Sequence, residues 1–121
     1  MLVGHLQKNF DIDLRFGNDG ESIALSLLNG GQKIEVKTDR IAHLTGNIAV
    51  EFRYKGYPSG ISTTEADYWA FVLYNHLRIF FIEINELKAI ARECYKEGRI
   101  KNGGDNNRSE MVLIPLTKLI K

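Results

Sequence analysis

The chain has 121 residues, of which 44% are hydrophobic and 26% are charged, a composition that indicates one globular domain and excludes a wholly disordered chain. Its formal net charge is +1, so an anion-binding surface can come only from a local arrangement of the 16 Lys and Arg residues. The single cysteine, Cys94, excludes an internal disulfide and a cysteine-based zinc site, and it favours a reducing compartment.

Neither a signal peptide nor a membrane span is predicted. The first residues, MLVGHLQKNFDID, lack the apolar segment of a signal peptide. The longest apolar run, IFFI at 79–82, is far shorter than the roughly 20 residues that a helix needs to cross a bilayer. We therefore expect an intracellular, cytoplasmic protein that makes no membrane contact.

The first half of the chain is typical of a short helix followed by two strands. Apolar residues recur at helical spacing over 20–29, and two glycines follow that can end a helix. IEVKTD at 34–39 and NIAVEFRYKG at 47–56 alternate apolar and polar residues, as half-buried strands do. Only a short segment, RIAHLTG, joins these two strands, which predicts an antiparallel pair.

The second half predicts further strands around one clear helix. YPSGISTTEAD reads as a loop entering a short helix, with Thr63 or Thr64 as its N-cap. Next come two predicted strands, YWAFVLYN and LRIFFIEI, which are joined by a turn near Asn75-His76. The segment NELKAIARECYKEGR is the clearest predicted helix; Asn85 would cap it, and its buried face would contain Leu87, Ile90, Ala91 and Cys94. A polar loop, IKNGGDNNRSE, and a last strand, MVLIPL, follow. The order α-β-β-α-β-β-α-β predicts a mixed α/β (α+β) fold.

The alternation in IEVKTD separates an apolar face from a charged one. Ile34 and Val36 are expected in the core, whereas Glu35, Lys37 and Asp39 point to the opposite face. In an antiparallel pair these charges would share that face with some of Glu51, Arg53 and Lys55.

Two interpretations of this charged face stay open. Carboxylates can bind Mg²⁺ together with water and substrate phosphate, and a nearby lysine can stabilise negative charge on that phosphate. The alternative is a solvated face on which cross-strand ion pairs have no function beyond stability.

Five ordered segments resemble the small phage-encoded nucleases with a PD-(D/E)XK core, which include Holliday-junction-resolvase-like proteins. The segments are DLRFGNDGE at 13–21, IEVKTD at 34–39, TGNIAVEF at 45–52, GYPSGISTTEADYWAF at 56–71 and GGDNNRSEMVLIPL at 103–116. The resemblance implies a restriction-endonuclease-like core, with a central mixed β-sheet flanked by helices, in a single domain over residues 1–121.

The resemblance also implies the roles of individual residues. Glu35 would be a metal ligand and Lys37 the catalytic lysine, and the carbonyl of Val36 would add a ligand. Glu21 corresponds to the acidic residue of the first helix, and Glu51 is an additional acid on the next strand.

One departure from the family pattern concerns an aspartate that precedes E-x-K. Only NGGQK separates the predicted helix from Ile34, and this segment contains no acid. Asp13 or another N-terminal acid could take its place. Alternatively the register shifts, so that Glu35 acts as the aspartate and Glu51-Phe52-Arg53 as E-x-K.

Several other residues are candidates for DNA contacts. They are the basic residues Arg15, Arg40, Arg53 and Lys55, the hydroxyl residues Ser59 and Thr63, and Arg108 in the polar loop. The same residue types also occur in ordinary turns, caps and surface loops.

The implied function is a DNA endonuclease that depends on Mg²⁺ or Mn²⁺ and hydrolyses phosphodiester bonds. A Holliday junction resolvase must cut two strands, so a homodimer acting on branched DNA in the host cytoplasm follows. The alternatives are an inactive nucleic-acid-binding module on the same fold and a scaffold domain with ordinary surface charges.

Overall fold

The structure is a computed structural model that describes residues 10–13, 26, 29–73 and 78–119. Their elements are, in chain order, strand β1 (Phe10–Asp13), β2 (Ile34–Asp39), helix α1 (Ala42–Thr45), β3 (Asn47–Tyr54), β4 (Tyr57–Pro58), a 3₁₀ turn (Gly60–Ser62), β5 (Tyr68–Leu73), β6 (Arg78–Glu83), helix α2 (Ile84–Lys96), β7 (Ile100–Gly103), a second 3₁₀ turn (Asp105–Asn107), β8 (Ser109–Pro115) and α3 (Leu116–Leu119). The predicted α+β class is confirmed.

The chain divides into two compact units that alternate along the sequence. The first comprises the chain up to His43 together with Ala66–Ile84, and the second comprises Leu44–Glu65 and Asn85–Lys121. Among the residues that the structure describes, each unit contains one four-stranded sheet. A single nuclease-like domain over residues 1–121 stays a prediction.

The first unit contains a mixed sheet with the strand order β1-β6-β5-β2. Strands β1 and β5 pair antiparallel with β6, and β2 pairs parallel with β5. The nearly continuous apolar sequences of β5 (YWAFVL) and β6 (RIFFIE) provide its core, in which Trp69, Phe71, Phe81 and Ile82 are buried. The predicted strands YWAFVLYN and LRIFFIEI are thus confirmed, and their turn near Asn75-His76 lies outside the described residues.

The predicted antiparallel pairing of IEVKTD with NIAVEFRYKG is wrong, because β2 pairs with β5 and β3 belongs to the second sheet. Asp39 explains the change of direction. Its Oδ1 accepts hydrogen bonds from the backbone N–H groups of Ile41 (3.0 Å) and Ala42 (2.9 Å). These bonds start α1 directly after β2, where a hairpin would need a turn that keeps the two strands side by side.

The predicted core face of β2 is confirmed only in part. Ile34 packs against the buried side chains of Ala70 and Phe81. Val36 is 61% exposed, so its predicted burial is wrong. Strand β2 is the last strand in the described order of its sheet, and less of the sheet is available there to cover its side chains.

The second unit contains an antiparallel sheet with the strand order β4-β3-β8-β7. Ile48 and Val50 of β3 are almost fully buried, as the alternation of NIAVEFRYKG predicts. Val112 and Ile114 of β8 are also buried, and the predicted strand MVLIPL is confirmed. A β-bulge interrupts β3, because Glu51 lies opposite Met111 and Arg53 opposite the adjacent residue of β8, which leaves Phe52 as the extra residue.

Helix α2 is the predicted amphipathic helix of the second unit. Leu87, Ala91 and Cys94 are buried along one face, as the sequence predicts, and Ile90 is half-buried. The helix begins at Ile84, one residue before the predicted segment, so Asn85 lies inside its first turn.

Two further local predictions differ from the structure. The short helix predicted after Thr63 or Thr64 is wrong, because the 3₁₀ turn comes earlier and Thr63 ends it. The predicted polar loop at 100–110 contains β7 and a second 3₁₀ turn, in which Asn106 and Asn107 adopt positive φ angles of 55° and 57°. Asparagine tolerates this left-handed conformation better than most residues, which permits the tight return into β8.

The remaining points concern the N-terminal part of the chain and membrane spans. Of the predicted helix at 20–29, only Ser26 and Asn29 are described; both are helical, and Gly30 N–H donates to the Ser26 carbonyl at 3.0 Å. Strand β1 was not predicted, because the first residues show little periodicity. In the part of the chain that the structure describes, no helix is long and apolar enough to cross a membrane.

Candidate functional site

Glu35 and Lys37 form a contact on one face of β2. They are two residues apart on a strand, which places both side chains on the same side of the sheet. Lys37 Nζ lies 2.8 Å from Glu35 Oε2, and both side chains are partly exposed. The structure therefore brings together the two residues to which the resemblance gives roles in metal binding and catalysis.

Trp69 supports the ammonium group of Lys37 from the neighbouring strand. The parallel register places Glu35 opposite Trp69 and Lys37 opposite Phe71. Lys37 Nζ lies 5.2 Å from the centroid of the Trp69 ring, within the range of a cation–π interaction. Trp69 is buried in β5, and Glu35 lies on β2 with Lys37. The two contacts therefore hold the ammonium group of Lys37 close to the sheet.

This arrangement places a positive charge where an anionic ligand could reach it. The Lys37 ammonium has three N–H donors, and its contact with Glu35 requires one of them. The remaining donors could bind a phosphate oxygen or a water molecule. Asp39, the third charge of the predicted row, has a different role, since its Oδ1 binds the backbone at the start of α1.

The predicted metal ligands are brought together only in part. Glu35 and Val36 are adjacent in β2, and Glu21 lies outside the described residues. Glu51 belongs to β3 of the second sheet, where its Oε1 accepts a hydrogen bond from Ser109 Oγ at 2.6 Å. The prediction that Glu51 shares a sheet face with Glu35 is therefore wrong, as is the same prediction for Arg53 and Lys55.

A metal ion could use Glu35 only with ligands from elsewhere. Within residues 10–13, 26, 29–73 and 78–119, no group of three or more His, Cys, Asp and Glu side chains is arranged to hold a metal. Mg²⁺ commonly takes one or two protein carboxylates and completes its shell with water and substrate phosphate. Glu35 fits such a shell as one carboxylate.

The basic residues of the second unit that were predicted to bind DNA lie near one another at one end of its sheet. Lys55 N–H donates to the carbonyl of Arg108 at 3.0 Å, so these exposed basic residues are neighbours. Arg53 lies two residues before Lys55, but its Nη1 is 3.3 Å from each carboxylate oxygen of Glu110. Lys55 and Arg108 thus form a small basic edge in which Arg53 is already neutralised.

The two hydroxyl residues predicted to contact phosphate differ in exposure. Ser59 Oγ is buried and has no hydrogen-bond partner in the structure, so it does not present its hydroxyl to a ligand. Thr63 is exposed, and its hydroxyl lies 3.5 Å from the carbonyl of Gly60. Arg40 is exposed in the first unit, and Arg15 lies outside the described residues.

A pocket of about 420 Å³ in the second unit was not predicted from the sequence. Helix α2 provides Lys88, Arg92 and Tyr95 to its lining. These residues occur at positions i, i+4 and i+7, so they share one helix face, and that spacing was the available sequence signal.

No family model, curated protein or solved structure matches this chain. The assignment to the PD-(D/E)XK nucleases therefore stays a prediction from the five segments of the sequence.

Proposed function

We propose that the protein is a divalent-metal-dependent DNA endonuclease in which Glu35 and Lys37 are the reactive residues. The observation that carries this proposal is the 2.8 Å contact between Lys37 Nζ and Glu35 Oε2 on one partly exposed sheet face. A phosphodiester cleavage site needs a carboxylate for the metal and a cation for the charge that develops on phosphate. This pair supplies both.

The metal, Mg²⁺ or Mn²⁺, would supply Lewis-acid stabilisation of the phosphate. Its protein ligands would be the carboxylates of Glu35 and Glu21 and the carbonyl of Val36. Glu51 is not among them, because its strand, β3, does not neighbour β2 and its carboxylate accepts the hydrogen bond of Ser109. Lys37 would donate a hydrogen bond to a phosphate oxygen or to the attacking water.

Such an enzyme could be a Holliday junction resolvase that acts as a homodimer on branched DNA in the host cytoplasm. Two symmetry-related active sites would cut the two strands of a junction. A resolvase should cut a four-way junction in preference to linear duplex, and it should sediment as a dimer at assay concentration.

The test is a cleavage assay at low salt with Mg²⁺ or Mn²⁺ on linear duplex, single strand, flap and four-way junction. Glu35→Gln and Lys37→Met should each reduce cleavage by roughly 100-fold or more, by analogy with the loss of other charge-stabilising groups. EDTA should abolish cleavage by the wild-type protein.

Glu97→Gln is the matched control for Glu35→Gln. The Lys118–Glu97 pair has side-chain exposures of 32% and 45%, in the same range as the 47% and 34% of Lys37–Glu35, but it lies in the second unit and contains no candidate DNA contact. Glu97→Gln should therefore cut DNA as the wild-type protein does. Folded wild-type protein that cuts none of the four substrates, or a Glu35→Gln variant that cuts normally, would refute the proposal.

The second candidate function is DNA binding without cleavage. Two observations favour it: Lys37 already neutralises Glu35, and the described residues contain no group of three metal ligands. Such a module should bind DNA with an affinity that falls steeply with salt, whether or not EDTA is present. A protein that neither binds nor cuts DNA would favour the scaffold alternative.

A further inference from the structure

The pocket in the second unit has the size and floor of a small-molecule site. Its volume is about 420 Å³, within the range of roughly 300–1,000 Å³ that such sites occupy. Ile61, Ala91 and Val112 line it, and all three side chains are buried. An apolar ligand group would therefore contact a preformed apolar surface.

Two aromatic rings form one wall of this pocket. Phe52 and Tyr95 meet edge to face, with ring centroids 5.6 Å apart and planes at 89°. Phe52 is the extra residue of the β3 bulge, and Tyr95 lies on α2 with 49% of its surface exposed. A flat ligand could stack against the accessible part of Tyr95.

The same pocket carries positive charge that no described residue balances. Lys88 and Arg92 are one helical turn apart on α2, and both line the pocket. Neither forms an ion pair or a side-chain hydrogen bond with any residue that the structure describes, whereas Arg53 and Lys118 of the same unit are each paired with a glutamate. An anionic group beside the apolar floor would therefore meet two available cations.

We propose that this pocket binds a small ligand with a flat apolar body and one anionic group. The body would lie on the apolar floor and against Tyr95, and the anionic group would bind Lys88 and Arg92. Neither Glu35 nor Lys37 lines this pocket, and the proposal does not depend on nuclease activity.

The first test is a fluorescence titration with 8-anilinonaphthalene-1-sulfonate, an aromatic monoanion that brightens in apolar sites. The wild-type protein should bind one equivalent saturably. The double variant Lys88→Gln/Arg92→Gln should bind about 10-fold more weakly or worse, since it loses charge-assisted contacts. The double variant Lys96→Gln/Lys101→Gln removes the same net charge from exposed residues outside the pocket lining, and it should bind as the wild-type protein does.

The second test separates the contribution of the anionic group from that of the rings. N-phenyl-1-naphthylamine has the same rings without the sulfonate, and it should bind wild-type protein at least about 10-fold more weakly. Tyr95→Ala should weaken binding of the sulfonate by roughly 3- to 10-fold, whereas Tyr57→Ala, which removes an exposed tyrosine outside the pocket lining, should not.

Three results would overturn this proposal. They are non-saturable binding of the sulfonate, equal affinity for the neutral probe, and unchanged affinity in the folded Lys88→Gln/Arg92→Gln variant. The comparison of the two probes uses wild-type protein only, so it decides the matter even if a variant fails to fold.

Discussion

Gly60→Ala should destabilise the protein more than Gly56→Ala, because only Gly60 lies against another segment of backbone. Both glycines have a positive φ, +53° at Gly60 and +82° at Gly56. A Cβ at Gly60 would overlap the carbonyl oxygen of Glu51 and lie 2.8 Å from its carbonyl carbon. A Cβ at Gly56 would have no atom within 4 Å outside its chain neighbours.

The expected magnitudes follow from this difference. A positive φ costs an L-residue about 1–2 kcal/mol, and both variants lose this amount. Overlap in a packed region adds about 1–3 kcal/mol at Gly60 alone, because Glu51 is part of the β3 backbone and cannot rotate away. Gly60→Ala should therefore lose about 2–5 kcal/mol of unfolding free energy, against about 1–2 for Gly56→Ala.

Urea unfolding followed by far-ultraviolet circular dichroism measures both variants. With a slope of about 1–3 kcal/mol per molar urea, the midpoint of Gly60→Ala should lie roughly 1 M below that of Gly56→Ala. Equal midpoints would refute the close approach of the 3₁₀ turn to β3. A midpoint of Gly56→Ala equal to that of the wild-type protein would refute the left-handed strain.

Three other perturbations test the second unit. Leu87→Ala should lower the unfolding free energy by about 2–5 kcal/mol in urea titrations, because Leu87 is fully buried. Burial raises the pKa of the Cys94 thiol, so Ellman's reagent should label folded protein far more slowly than protein in urea. The hydrogen bond from Lys118 lowers the pKa of Glu97 in the folded protein. The contact should therefore stabilise the fold at any pH above the ordinary glutamate pKa. This stabilisation should disappear as the pH falls through the lowered pKa of Glu97 in the folded state. The urea midpoint of wild-type protein should thus exceed that of Lys118→Met at neutral pH, and the difference should shrink in acid.

Each of these expectations has a contrary result. A cost below about 1 kcal/mol for Leu87→Ala would contradict the packing of α2 on its sheet. Equal labelling rates for Cys94 in folded and unfolded protein would contradict its burial. A midpoint difference for Lys118→Met that persists below the pKa of Glu97 would assign the effect to another contact of Lys118.

Local periodicity predicted the elements whose two faces differ clearly. In β3, Ile48 and Val50 alternate with polar residues, and in α2, Leu87, Ala91 and Cys94 recur at helical spacing. These patterns depend only on the repeat of one element, so they can be recognised without knowing its neighbours. Strand β7, with the sequence IKNG, has no such contrast, so its polar sequence predicts a loop.

Strand pairing could not be predicted in the same way. The partner of β2 is β5, and the residues in register, Ile34 and Tyr68, are separated by more than 30 positions. No short-range pattern encodes that distance, whereas a short loop between two alternating segments favours a hairpin. Asp39 contained the contrary signal, since an aspartate can accept the backbone N–H groups two and three residues later and so start a helical turn. The predicted proximity of Glu35 and Lys37 does not depend on the pairing of β2, because both residues lie within that strand.

Stability and activity should separate at Lys37, which distinguishes a reactive pair from an ordinary surface ion pair. An exposed ion pair contributes about 0–1 kcal/mol, and the cation–π contact of the half-exposed Lys37 with Trp69 adds about 0.5–1 kcal/mol. Lys37→Met should therefore lower the unfolding free energy by no more than about 2 kcal/mol while cleavage falls by roughly 100-fold or more. The two quantities are measured by urea titration and by the junction-cleavage assay on the same preparation. A variant that keeps both its stability and its cleavage would show that the pair has only the ordinary role of a surface contact, because catalytic charge stabilisation is lost with the ammonium group whatever its contribution to folding.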